Sequence, residues 1–444
     1  MNIKLPIDVE TILEQLEYYG YEAYVVGGCV RDTIMGLIPH DWDICTSATP
    51  QQIKEVFEKY IVIETGLKHG TVTLMMTQTP YEITTYRIDG NYSDNRRPDN
   101  VEYTTNLIED LNRRDFTINS MAYNPRIGLI DPFNGQLDII NKEIRCVGNP
   151  LDRFNEDALR ILRAWRFECQ FGFSIELDTL KAMYCCLSLL DNISVERIRE
   201  EFIKSLSNIS GFVISVKQHG NFLNYIIPEF KRLRFNQQNQ YHIYPVDIHT
   251  WNALLNYKEN DLITKMALLF HDIGKPQCYS EDENRIGHFY KHAIVGAEIT
   301  DNILKRLKFD NKTREDVVEL VSYHDAEIVA SNKHIKRWLN KIGEMQFRRL
   351  LDMKEADIKA QNLEYINRVD EIFKTRELLD NILDEKQCFT MKDLVINGED
   401  LMNIGYKQGK VLGSALKGLL ECVIVDEVEN SREELLNLAK KWIE

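Results

Sequence analysis

The spacing of apolar residues changes character once along this chain, near residue 150, and that change limits the fold more than any other feature. Upstream lie short β-branched or alternating runs, AYVVGG, VTLMMT and YEITTYRI, which read as strands. They follow a helix, TILEQLEYYG, closed by Gly20, and are separated by polar, turn-rich stretches such as YRIDGNYSDNRRPDNVEYT. From Leu151 apolar residues recur every three or four positions through FNEDALRILRAWRFECQFGF, and the helical pattern persists almost to the C-terminus. The expected class is α+β, with a mixed α/β head over residues 1–145 and an all-α remainder. GEDLMNIGYKQGKVLG (Gly398–Gly413) reads as a glycine-punctuated connection between late helices.

A chain of 444 residues holds roughly two to four domains, each large enough for its own core. Its 44% hydrophobic and 28% charged content excludes a mainly disordered protein. No apolar run approaches the ~20 residues that span a bilayer, and the start lacks the basic-then-apolar form of a secretion signal. Nine scattered cysteines without a CxxC pair fit free thiols in a reducing cytoplasm better than a disulfide framework or a zinc ribbon. A net charge of −15 argues against a promiscuous nucleic-acid binder, whose affinity rests on neutralising phosphates. Basic residues nevertheless cluster at Arg96-Arg97, Arg113-Arg114 and Arg153, Arg160, Arg163, Arg166, which suits a selective RNA partner.

The most chemically pointed stretch is YVVGGCVRDTIMGLIPHDWDICTSATP. A strand ends at Val26, and Gly27-Gly28 let a ligand approach the backbone closely. A helix starting near Cys29 aims free N–H groups and a positive dipole end at that space, with Arg31 in its first turn, an arrangement that suits a triphosphate. Asp41 and Asp43 flank Trp42, and residues i and i+2 of a strand share a face, so the two carboxylates converge. Converging hard oxygens suit Mg²⁺, and two such ions activate a hydroxyl and steady a leaving pyrophosphate. Glu82, in YEITTYRI, is placed to supply a third carboxylate.

GGCVRD…HDWDICTSATP resembles the signature of the nucleotidyltransferase superfamily, in its branch of class II tRNA nucleotidyltransferases (CCA-adding) and bacterial poly(A) polymerases. LNRRDFTINSMAYN (111–124), DPFNGQLDI (131–139), RFNEDALRILRAWRF (153–167) and SVERIREEF (194–202) resemble the later motifs, in family order. The resemblance implies a polymerase-β-like head (1–145), a helical neck with the base-reading motif (146–210), a body (211–375) and a tRNA-binding tail (376–444). It implies addition of C, C and A from CTP and ATP to a tRNA 3′ end, with the acceptor arm along the helical half. Catalytic roles fall to Asp41, Asp43 and Glu82, with two Mg²⁺ ions on the two aspartates. Gly27, Gly28, Arg31, Arg113, Arg114, Asp115, Asn119, Arg163 and Arg166 would serve the nucleotide, the adjacent arginines through their fork of donors.

In the same motif Asp157 and Arg160, three apart on a helix, would share a face. The carboxylate accepts from the amino group of cytosine or adenine, and the guanidinium donates to the neighbouring ring atoms. Guanine and uracil present a carbonyl there and are refused. The segment Arg87–Asn100 resembles the loop of full CCA-adding and A-adding members, against a CC-only enzyme. An A-adding-only enzyme and a poly(A) polymerase remain alternatives, the latter disfavoured by the acidic charge.

Seven of the ten histidines fall between His242 and His334. His249, His271-Asp272 in LLFHDIGKP and Asp357 have the order of an HD-domain metal site, with His292 and His324 available to extend it to a second ion. HDIGKP resembles the HD phosphohydrolases, which leaves hydrolysis of RNA-end or cyclic phosphates as an alternative function of a different class.

Overall fold

The computed structural model describes residues 3–66, 70–90, 100–234, 243–283 and 287–443. The chain divides into two compact units, Met1–Phe222 and Leu223–Glu444. Arg96, Arg97, most of the Arg87–Asn100 segment and His242 lie outside the described residues.

The first unit begins α1 (Ile7–Tyr18), β1 (Ala23–Val26), α2 (Gly28–Ile34), β2 (Ile44–Thr46), α3 (Pro50–Val56), β3 (Ile61–Gly66), β4 (Thr71–Met76) and β5 (Thr79–Thr85). It continues with β6 (Arg87–Asp89), β7 (Val101–Tyr103), α4 (Leu107–Asn112), β8 (Ala122–Asn124), β9 (Gly128–Ile130) and α5 (Gly135–Asn141). One seven-stranded sheet runs in the order β3-β4-β5-β2-β1-β8-β9. Only its β2–β5 pair is parallel. β1 lies between β2 and β8 with all four residues buried, which is why AYVV shows no polar alternation. Tyr24, Val26, Cys45, Tyr86 and Ala122 pack with Leu107 and Leu111 of α4, so the sheet and α4 fix each other beneath the glycine turn.

The helical part of this unit comprises α6 (Pro150–Glu156), α7 (Leu159–Phe171), α8 (Leu177–Cys185), α9 (Val195–Ser205) and α10 (Ile209–His219), with a two-residue pair, β10 (Glu143–Ile144) and β11 (Ser174–Ile175), beside it. From Leu159 to Cys169 every residue of α7 is buried except Arg163. α10 crosses α7 so closely that a Cβ at Gly211 would stand 1.9 Å from the Cys169 carbonyl oxygen, a contact only glycine permits.

The unit boundary falls within α11 (Asn221–Ile226). The second unit contains α12 (Val246–Asn256), α13 (Leu262–Phe270), α14 (Lys275–Cys278), α15 (His292–Arg306), α16 (Asn311–Tyr323), α17 (Asn332–Ala360) and α18 (Val369–Asp384). α17 is broken at Gly343, where φ is +79°. α13 is buried continuously from Thr264 to Phe270 and forms the centre of the bundle. Two short strands, β12 (Ser280–Glu281) and β13 (Gly287–His288), interrupt the expected all-helical pattern.

α19 (Gly398–Asn403), α20 (Lys410–Ile424) and α21 (Arg432–Lys441) close over a separate core containing Leu401, Leu419, Leu435 and Ala439. The expected connection over Gly398–Gly413 is therefore corrected. GEDLMN is a helix, capped by Asn397 and Asp400 in a reciprocal box, and only Ile404–Gly409 connects. Among the described residues no helix is long and apolar enough to cross a membrane.

Candidate active site

The glycine turn and the carboxylates meet because of strand register. The Val26 N–H donates to the Asp43 carbonyl at 3.0 Å, which holds Asp43 level with the start of Gly27-Gly28. Ile44 of β2 pairs with Ile83 of β5, so one residue earlier Asp43 stands beside Glu82. Ile44 and Ile83 are buried and their neighbours Asp43 and Glu82 are exposed, as the two-residue period requires. Asp41 and Asp43 precede β2 rather than lying within it. Desolvation by the groups packed around its carboxyl raises the Asp43 pKa above its ordinary value; Arg114 opposes the rise, and Glu82 and Asp41 add to it. Three carboxylates thus share one electrostatic neighbourhood with one guanidinium. Gly27 has φ +80°, and a Cβ there would stand 3.0 Å from Arg114 Nη1, so the guanidinium rests over the turn.

Asp110, fully buried in α4, aims both arginines. Its Oδ1 accepts from Arg113 Nε and Nη2 at 2.9 and 2.8 Å, and its Oδ2 from Arg114 Nη2 at 3.3 Å. Burial alone would raise the Asp110 pKa, but Arg114 and Arg113 hold it below the ordinary carboxylate value. The buried Arg114 Nε has no hydrogen-bond partner among the described residues. Asp115 accepts from Arg163 Nε at 2.8 Å and from Asn119 Nδ2 at 3.0 Å. Burial works against its charge, yet Arg163, the Asn119 hydrogen bond and Arg160 depress its pKa strongly. Asn119 Oδ1 in turn accepts from Arg31 Nη1 at 2.6 Å.

Two expected nucleotide ligands, Arg31 and Arg166, already hold partners within the protein. Arg31 is buried, bonded to Asp32 and Asn119 and lying over Phe171 and Phe167, where it ties α2 to α7. Arg166 pairs with Glu201 of α9 at 2.6 Å, bonds Gln170 and stacks on Phe167. Arg163 keeps a side-chain exposure of 35% and is the more open of the α7 arginines.

The shared helix face expected for Asp157 and Arg160 is also corrected. Asp157 stands in extended backbone between α6 and α7 (φ −136°, ψ 103°) and caps Leu159 N–H at 3.1 Å. Arg160 bonds Glu156 at 2.5 Å and the Arg153 and Arg113 carbonyls at 3.1 and 3.0 Å. Asp110 and Arg197, the partner of Asp157, were not anticipated. The i, i+3 and i, i+4 spacing of Asp110 to Arg113 and Arg114 carried the signal for the first.

A second cluster lies within the second unit. His249 comes from α12, His271 and Asp272 from the end of α13, His292 from the start of α15, His324 from the end of α16 and Asp357 from α17. The Nδ1 atoms of His271, His292 and His324 lie 2.7, 2.9 and 2.7 Å from the Leu268, Phe289 and Val321 carbonyls. Donation there leaves each Nε2 lone pair free. Those Nε2 atoms converge: His249 lies 2.8 Å from Asp357, His271 3.3 Å from Asp272, and His292 and His324 each 3.7 Å from Asp272. Two ligand groups result, His249/His271/Asp272 and Asp272/His292/His324, sharing Asp272. Buried carboxylates that demand a cation of their surroundings, with free imidazole nitrogens beside them, fit a divalent metal.

Residues 23–145 match the Poly A polymerase head domain family, and 172–233 match the "Probable RNA and SrmB- binding site of polymerase A". The head sheet and its carboxylate site therefore define a nucleotidyltransferase of the polymerase-head class. Residues 287–439 match "tRNA nucleotidyltransferase domain 2 putative". The CCA-adding enzyme of Ligilactobacillus salivarius is 34% identical over 98% of this chain and 96% of its own, and that of Enterococcus faecalis 34% over 97% and 94%. The crystal structure of the Bacillus stearothermophilus CCA-adding enzyme in complex with CTP is 27% identical, with a TM-score of 0.75 over 99% of this chain and 98% of that one. The chain belongs to the CCA-adding enzyme family.

Proposed function

We propose that this chain adds C, C and A from CTP and ATP to the 3′ end of tRNA, releasing pyrophosphate at each step. The observation that carries the reading is the convergence of Asp41, Asp43 and Glu82 beside Gly27, under the Arg114 guanidinium, in a chain that matches CCA-adding enzymes over nearly its whole length. The three carboxylates crowd like charge, and hard oxygens so placed suit Mg²⁺ held by Asp41 and Asp43. Bound there, a pair of such ions supplies Lewis-acid stabilisation of the attacking and leaving oxygens. Arg113 and Arg114, aimed by Asp110, face the triphosphate, and the unpartnered Arg114 Nε offers it a donor. Gly27 and Gly28 admit it to the backbone. Asp115, Asn119 and Arg163 brace the sugar side, and Asp157 and Arg160 select the base. The work divides among a head (1–145), a neck (146–210), a body (211–375) and a tail (376–444), in the cytoplasm, where nine free thiols persist.

A tRNA ending before CCA, supplied with CTP alone, ATP alone or both, tests this. Two Cs followed by one A is the expected product, whereas a single A only on a CC end would mark an A-adding enzyme and long A tails a poly(A) polymerase. Asp43→Ala is expected to abolish incorporation with an unchanged circular dichroism spectrum; full activity in that variant would sink the assignment.

The histidine cluster supports a second reading for the body, a divalent-metal site of the HD type. The protein is expected to carry a transition metal measurable by mass spectrometry and lost in His271→Ala. Metal content equal in the two proteins would refute it. Release of phosphate from a 2′,3′-cyclic nucleotide, abolished by the same substitution, would establish hydrolysis there.

A further inference from the structure

Asp157 is already engaged before any base arrives. Its Oδ1 caps α7 through the Leu159 N–H at 3.1 Å, and its Oδ2 accepts from Arg197 Nη2 at 2.8 Å, with Nη1 3.4 Å from Oδ1. Because Asp157 lies outside both α6 and α7, in extended backbone, no helical turn restricts its side chain. The cap and Arg197 are the restraints. Arg197 comes from α9, 40 residues further along the chain, so a remote helix sets where this carboxylate points. Both side chains remain partly open, at 17% for Asp157 and 26% for Arg197. A carboxylate offers about four acceptor positions, so the cap and the guanidinium leave room for one incoming donor on a defined edge. Arg160 is supported separately, through Glu156 and two backbone carbonyls. The two residues assigned to the base are joined through the backbone, Arg160 N–H donating to the Asp157 carbonyl at 3.0 Å, but their side chains are held by different partners.

We propose that Arg197 is a positioning residue for nucleotide selection: its two-pronged grip turns Asp157 so that the free acceptor edge meets the amino group of cytosine or adenine. The inference rests on the base-reading role given to Asp157. A helix-to-helix tie with no such role would lower stability when cut but leave the choice of nucleotide alone. Loss of Arg197 frees the carboxylate to rotate about its own bonds, so discrimination against the carbonyl-bearing bases falls while Arg160 stays in place.

The test measures single-nucleotide incorporation of CTP, UTP, ATP and GTP by the full-length wild type, Arg197→Ala, Asp157→Ala and the double variant. In Arg197→Ala the kcat/KM of UTP relative to CTP is expected to rise about tenfold, the scale of one well-made base contact. In the Asp157→Ala background the same change is expected to do nothing further, because Arg197 acts through Asp157. Relaxed selectivity in Asp157→Ala with wild-type selectivity in Arg197→Ala overturns the inference, and so do additive effects in the double variant. Unchanged selectivity in Asp157→Ala overturns the base-reading role itself. If Arg197→Ala does not fold, Arg197→Gln, which keeps a single N–H₂ group but loses the two-nitrogen fork, carries the same comparison. Wild-type selectivity in that folded variant is again a refutation.

Discussion

Asp110→Asn is the substitution that most directly couples the fold of the head to its site. Asp110 is wholly enclosed and is the shared counter-charge of Arg113 and Arg114. Breaking a buried ion pair from one side costs about 3–5 kcal/mol, because the partner charge stays buried and unpaired. Asparagine retains an oxygen for Arg113 but turns an N–H₂ toward Arg114, and the two arginine side chains keep 17% and 19% exposure, which moves the expectation to the lower end, about 3 kcal/mol. At 1.36 kcal/mol per decade, amides of β1 and α4 that exchange only on unfolding of this unit should exchange about a hundredfold faster. Hydrogen exchange read by mass spectrometry on those peptides scores the first unit by itself. Because Arg114 also loses the group that aims it over Gly27, KM for CTP and ATP should rise in parallel. Exchange within threefold of wild type together with an unchanged KM would show that the arginines are held by something else.

Gly211→Ala forces a Cβ to within 1.9 Å of the Cys169 carbonyl oxygen, so α10 must back away from α7. A loss of about 3 kcal/mol is expected, read as faster exchange in α7 peptides, and a wild-type rate would contradict the close crossing. His219 has its pKa raised by its hydrogen bond to the buried Glu168, burial working the other way. A raised folded pKa stabilises fully below the unfolded value of about 6.5 and loses that contribution as pH rises through the folded one. His219→Gln should therefore lower the melting temperature more at pH 6 than at pH 9, and an equal deficit at both would refute the linkage.

Much of this was legible because the informative residues obey local rules. The strand ending at Val26, the glycine turn and the DxD pair are contiguous in the sequence, and β1, α2 and Asp43 follow it closely. Glu82 was reachable only as the polar position of a strand; its place beside Asp43 depends on the parallel β2–β5 register, which no local pattern encodes. The histidines were visible as an ordered set, while their convergence on Asp272 depends on four helices meeting. Asp157 misled because a helical period runs through FNEDALRILRAW, and the break between α6 and α7 leaves that period intact. The glycines of Gly398–Gly413 likewise suggested a loop, yet Gly398 opens a helix whose cap box satisfies its first N–H groups.

The arginine cluster illustrates how charge counted along a chain differs from charge offered to a ligand. Arg113 and Arg114 share Asp110, Arg153 and Arg160 share Glu156, Arg163 holds Asp115 and Arg166 holds Glu201. Each guanidinium thus has a carboxylate within 3.3 Å, and the local field these six present is far smaller than six positive charges would give. Such a surface is poorly suited to gripping arbitrary RNA through counterion release, which needs unpaired cations. It is well suited to a small ligand met at fixed angles, because paired arginines keep their planes and their remaining N–H directions. The pairing of these six arginines therefore agrees with the acidic net charge in favouring a selective partner over a promiscuous one. In the function proposed above, Asp110, Glu156, Asp115 and Arg197 are the residues that would hold those side chains and Asp157 still for the nucleotide.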